Sequence, residues 1–103
     1  MKLITAQVRK SLKPLYTFEK RTPEETPVAV KFFNPAGTGT WYITEWDGSD
    51  IMFGLCSIHE PELGYVSFQE LSSLRLSFGL SIERDMYWQG TLADAMRAEG
   101  YAR

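Results

Sequence analysis

The chain has 103 residues, 44% apolar and 23% charged, with a net charge of -2. This composition supports one folded domain with a real core and excludes an intrinsically disordered chain. Its single cysteine, Cys56, excludes an internal disulfide, and no apolar run approaches the ~20 residues of a membrane span. An amphipathic stretch follows Met1-Lys2 where a signal peptide would carry an apolar core, so the expected location is the cytoplasm.

Charge is unevenly spread. Residues 1 to 31 hold seven Lys/Arg against three acids, whereas residues 32 to 74 hold six acids and no Lys or Arg. A basic end and an acidic body follow.

In chain order, Thr5 is an N-cap for a short helix with Val8, Leu12 and Leu15 on one side and Arg9, Lys10 and Lys13 on the other. Pro14 stops it at Lys13. Residues 19 to 27 read as a polar connecting loop. Val28–Phe33, Trp41–Trp46 and Ile51–Ile58 are strands by their β-branched and aromatic content, and Leu63–Val66 is a short fourth. Asn34–Gly39, Asp47-Gly48 and Glu60-Pro61-Glu62 supply the reversals, which predicts an antiparallel meander. Ser67 and Glu70 match a capping box, with Val66 and Leu71 as its staple, for a helix to about Leu76. Leu80–Asp85 is a candidate edge strand. Thr91 opens a C-terminal helix that Gly100 ends. The expected fold class is α+β, one domain over 1–103: an antiparallel meander of about four strands with an N-terminal helix, a helix after the fourth strand and a C-terminal helix.

The Gly37-Thr38-Gly39 run raises the question of a phosphate cradle. Such loops work by aiming backbone N–H groups and a helix N-terminus at the anion. Here β-formers follow Gly39, no Gly-Lys-Ser/Thr is present, and Tyr42 stands where a third glycine belongs. The loop reads as a hairpin connection.

Catalytic and metal constellations are equally thin. His59 is the only histidine, and Cys56 and His59 lie three apart, on opposite faces of an extended strand. Glu60 and Glu62 are hard oxygen donors that do not complete a zinc set with one thiolate. As an acid/base pair they flank a proline in a turn. No cofactor is expected, and the balance leans away from an enzyme.

The informative feature is aromatic content on both strand faces. By alternation, Val28, Val30, Phe32, Trp41, Ile43, Ile51, Phe53 and Leu55 form one bulky set. Lys31, Phe33, Tyr42, Thr44, Trp46 and Met52 form a second, mixed set. Four strands at ~4.8 Å spacing make a sheet about 19 Å wide, and helices are about 10 Å across, so two cover one face and three cannot cover both. The second set is therefore expected to bind a partner, with the acids Glu45, Asp47, Asp50, Glu60 and Glu62 meeting a basic surface. A homodimer is another way to cover it, and closure by the C-terminal helix or the 19–27 loop is the alternative.

The segments "VKFFNPAGTGTWYITEWD", "FGLC", "ELGYVSFQEL" and "LSIERD", in that order, resemble a small bacterial family known as domain of unknown function 2958. The resemblance spans roughly residues 3 to 86 and leaves 87 to 103 outside the pattern. It implies no activity, cofactor or catalytic residue, and carries no role to His59. It does imply a setting: plasmids, integrative elements and phages, beside anti-restriction and DNA-processing genes. The expected function is a non-enzymatic accessory protein of a mobile genetic element that binds a host defence or DNA-processing complex, such as an anti-CRISPR or anti-restriction inhibitor. Two alternatives stay open. Direct nucleic-acid binding is weakened by the separation of basic residues from the aromatic strands. A small enzyme subunit would need a pocket bringing Cys56, His59, Glu60 or Glu62 together.

Overall fold

A computed structural model describes all of residues 1–103. Five strands form one antiparallel sheet: β1 (Val30–Phe33), β2 (Thr40–Trp46), β3 (Ile51–Ser57), β4 (Pro61–Ser67) and β5 (Glu83–Arg84), in the order β4-β3-β2-β1-β5. Three helices accompany it: α1 (Ala6–Ser11), α2 (Phe68–Ser73) and α3 (Leu92–Glu99). The α+β meander stands, with a fifth strand added at the β1 edge and the C-terminal helix in place.

Local signals set the element ends. Val8 N–H donates to the Thr5 hydroxyl at 3.2 Å, and Glu70 N–H to the Ser67 hydroxyl at 3.2 Å. Thr91 and Asp94 form a reciprocal capping box, and Gly100 closes α3 with φ 69, a left-handed geometry glycine adopts without cost. α2 is shorter than expected. Leu74 is already extended after two serines, and the chain makes a separate 3-10 turn at Ser77–Gly79. The glycine loop is a hairpin connection closed on itself: Asn34 N–H donates to Gly39 O at 2.9 Å, and the Asn34 side chain accepts from Ala36 N–H and donates to Thr38 O.

Two clusters make the core, one on each face of the sheet. On the first face, Val30, Phe32, Trp41, Ile43, Trp46 and Met52 pack against Leu3, Ile4, Val8 and Leu12 around α1, Leu71 of α2, and Ile82. On the second, Tyr42 and Leu55 pack against Leu92, Ala95 and Met96 of α3, with Val28, Trp88 and Tyr101 alongside.

Register overturns the expected faces. Ile43 pairs with Gly54, but Glu45 pairs with Phe53 and Trp46 with Met52, so β2 carries an extra residue at Thr44. A bulge of this kind inverts the alternation beyond it. Trp46 therefore joins Trp41 and Ile43, and Phe53 and Leu55 change sides to join Tyr42. The bulge needs Gly54 opposite it, because a Cβ there would sit 1.9 Å from the Tyr42 carbonyl oxygen. Replacement Gly54→Ala should cost about 3 kcal/mol or more by forcing the two backbones apart. Chemical denaturation checks this; a midpoint unchanged from the parent protein would refute the packing described for the bulge.

Candidate functional site

The bulge turns Thr44 and Glu45 toward the α3 side, and Glu45 organises what covers that side. After α1 the chain runs beside the end of β2, where Trp46 N–H donates to Lys13 O at 2.9 Å and Lys13 bridges Glu45 in parallel. It then crosses onto the second face as a strap, residues 14–26. The Glu45 carboxylate accepts from Tyr16 N–H at 3.0 Å and Phe18 N–H at 2.8 Å. Tyr16 sits at φ 74, a strained value for a residue with a side chain, and the carboxylate holds it there. The far end of the strap is tied to α3: Leu92 N–H donates to Thr26 O at 2.8 Å, and Glu24 pairs with Arg103 at 2.6 Å.

Strap, α3 and sheet enclose a cleft of about 330 Å³. Its floor follows the strand register. Glu45, Phe53 and Tyr65 lie in one row across β2, β3 and β4, and Leu63 lies in the next. Tyr16, Phe18, Glu19 and Arg21 of the strap form one wall, and Leu92 and Met96 of α3 form the other. The Phe53 and Tyr65 rings lie 5.0 Å apart at 60°. Tyr65 is 56% exposed, Leu63 39% and Tyr16 62%, so the mouth opens along β4 with apolar lips. Contact with the Tyr16 hydroxyl raises the Tyr65 phenol above its ordinary pKa.

The residues expected to bind a partner are mostly core. Tyr42 is 1% exposed and Trp46 8%; Met52 and Thr44 are sealed as well. Tyr42 lies under α3 and Trp88, with rings 5.0 Å apart and its hydroxyl donating to Glu99 at 2.7 Å. Trp46 is under α1, where the Arg9 guanidinium carbon sits 4.9 Å from its ring centroid. A Trp46→Ala change would therefore report on folding rather than docking. Closure by the C-terminal helix and the strap is what the structure has. Helices alone were too few, and a segment of irregular chain does the rest.

Others have internal duties. Lys31 pairs with Asp85 at 3.4 Å and lies 5.3 Å from the Tyr42 ring centroid. Phe33 is half-buried between β2 and β5. Asp47 accepts from Ser49 and Asp50 N–H groups at 2.8 and 2.7 Å, which holds its carboxyl below the usual range. Asp50 accepts from the Ser67 hydroxyl and from Gln69 N–H at 2.7 Å, fixing the start of α2. Glu60 and Glu62 are exposed at the β3–β4 turn, free of ion pairs. Only these two, of the expected set, are both exposed and without a structural task.

Tyr16, Phe18, Phe53, Leu63 and Tyr65 were not expected. The signal for two of them was present: Leu63 and Tyr65 alternate on the last strand of a meander, which is an edge by construction.

Nearly the whole chain, residues 3–99, matches the family model described as Protein of unknown function (DUF2958). The chain belongs to this family. The match takes in α3, so residues 87–99 of the segment that lay outside the pattern are part of it. No curated protein and no solved structure matches the chain.

The remaining chemistry is separated. Cys56 lies on the Trp41 face, opposite Trp41 in register, while His59 is exposed in the turn. No three His, Cys, Asp or Glu side chains converge as a metal-binding group. Burial, aided by Glu62, pushes the Cys56 thiol up to about 11. Its thiolate fraction at pH 8 should be about a hundredfold below that of a free cysteine. A disulfide reagent should react correspondingly slowly and accelerate as pH rises toward 10. Rapid reaction at pH 7 would contradict this setting.

Proposed function

We propose that the protein is a non-enzymatic accessory protein of a mobile genetic element. It binds a host defence or DNA-processing complex by protein–protein contact, in the manner of an anti-CRISPR or anti-restriction inhibitor. The observation that carries the binding role is the open cleft with exposed Leu63, Tyr65 and Tyr16 at its mouth and the acids Glu19 and Glu45 among its lining residues. An apolar patch rimmed by charge is the usual anatomy of a protein interface, and tyrosine is enriched there. The mobile-element setting rests on the family resemblance and the genes such proteins accompany.

Geometry also bears on the alternatives. The basic side chains of α1 lie on the first face of the sheet, opposite the cleft, and Arg21 is the one basic residue among those lining it, which is too little for a basic groove beside the exposed aromatics. A small enzyme would need a general base or nucleophile in the cleft beside a second reactive group. The cleft offers one carboxylate already tied to the strap and one at its rim.

The test is a comparative capture from lysates of cells that carry defence and DNA-processing complexes. The parent protein is expected to retain such a complex. A Leu63→Ser/Tyr65→Ala double variant with an unchanged melting curve is expected to lose it, its two side chains together supplying about 2 kcal/mol or more. Retention of the same complex by both proteins would remove the cleft and its lips from the binding surface.

A further inference from the structure

Glu45 stands at the inner end of the floor, followed in its register row by two aromatic rings. It is 5% exposed, and its partners are two backbone N–H groups. A carboxylate presents about four lone-pair sites, so acceptor capacity remains. Buried charge is stabilised by a counter-charge. The ion pairs of the molecule are Lys31–Asp85, Arg97–Asp94 and Arg103–Glu24, and none reaches Glu45 or Glu19. Arg21, the one basic residue among those lining the cleft, is exposed and pairs with neither acid.

Above the carboxylate, Tyr16, Phe18, Phe53 and Tyr65 line one apolar space. Aromatic faces are electron-rich and attract cations, most strongly where water is displaced. The volume, about 330 Å³, lies at the low end of the ~300–1,000 Å³ typical of ligand sites. It suits one long side chain better than a cofactor. Two acids, Glu45 and Glu19, against one base, Arg21, leave the lining of the cleft net negative.

We infer that the cleft receives a lysine or arginine side chain of the partner protein. Its apolar stem lies along Phe53, Leu63 and Tyr65, its cationic head reaches Glu45, and Glu19 supplies charge at the rim. This rests on the reading of the cleft as a docking site and names what enters it. The competing role for Glu45 is to tether the strap and nothing more.

Titration of the isotope-labelled full chain, followed by NMR, separates the two. The probes are acetylated, amidated pentapeptides Gly-Gly-X-Gly-Gly with X as lysine, arginine or norleucine. The lysine or arginine peptide is expected to shift the amides of Glu45, Phe53 and Tyr65 saturably. Norleucine, of similar shape but neutral, is expected to bind about tenfold more weakly or less. Glu45→Gln is expected to lower affinity for the cationic peptide about tenfold while keeping an acceptor for the strap. If that variant loses its dispersed spectrum, Phe53→Leu decides, with an expected weakening of about threefold or more from loss of the ring face. Equal binding of the norleucine peptide, shifts that map elsewhere, no saturable shift from any peptide, or undiminished affinity in the folded variants would each overturn the inference. A complex that is captured through Leu63 and Tyr65 while all three peptides fail would overturn this inference alone and leave the binding role standing.

Discussion

One extra residue in β2 decides how this sheet is covered. With strict alternation Trp46 would share a face with Tyr42 and Thr44, and Glu45 would point into the cluster around α1. The bulge at Thr44, admitted by Gly54 across the ladder, reverses both outcomes. Trp46 enters the larger core, and a carboxylate arrives on the other face beside Phe53. There it meets the backbone of the strap and fixes it in a conformation that Tyr16 would not adopt unaided. Hydrogen bonds to a charged acceptor are each worth about 1.5–3 kcal/mol, comparable to the cost of a left-handed non-glycine residue. The strap then builds one wall of the cleft. Fold and candidate site therefore share a single origin, a backbone irregularity two positions from Trp46.

That origin explains which features were legible in the sequence. Elements announced by local chemistry were readable: the Thr5 and Thr91 caps, the Gly100 stop, the Asp47-Gly48 reversal and the order of the strands. Each depends on residues within a turn of one another. Register is different. Nothing within β2 distinguishes a strand that bulges at Thr44 from one that does not, because the reason lies in Gly54, ten residues away. The face assignment of Trp46, Met52, Phe53 and Leu55 went wrong for that reason alone. The shortage of covering helices was sound arithmetic applied to an incomplete set of covers, since irregular chain between α1 and β1 also spans the sheet. What it leaves bare is Leu63 and Tyr65 at the edge, with Tyr42 sealed beneath α3.

The acidic middle of the chain also changes meaning once backbone N–H groups are followed to their acceptors. Asp47 closes the β2–β3 turn, Asp50 fixes the start of α2, and Glu45 holds the strap. Anionic side chains are strong acceptors for N–H groups that turns and helix starts leave unpaired. Half of the apparent negative surplus in residues 32–74 is therefore structural. Of the rest, Glu60 and Glu62 are exposed at the β3–β4 turn. A charge count along a sequence overstates electrostatic reach wherever acids serve as caps.

The two edges of the sheet differ in a way that bears on which side meets a partner. β5 is two residues long, and the chain leaves it at once for the segment leading to α3. β4 has seven residues, pairs only with β3, and carries Leu63 and Tyr65 outward. Long exposed edges invite pairing with other chains, and proteins commonly blunt them with lysine, proline or a covering loop. β4 has Pro61 at its first position and Glu62 beside it, but no lysine and no cover along its remaining length. An edge left open in this way, with an aromatic cleft at its side, carries a cost in self-association for a lone subunit. A standing partner removes that cost, which is why the β4 side, rather than the sealed face under α3, is the part of the surface on which a binding role can rest.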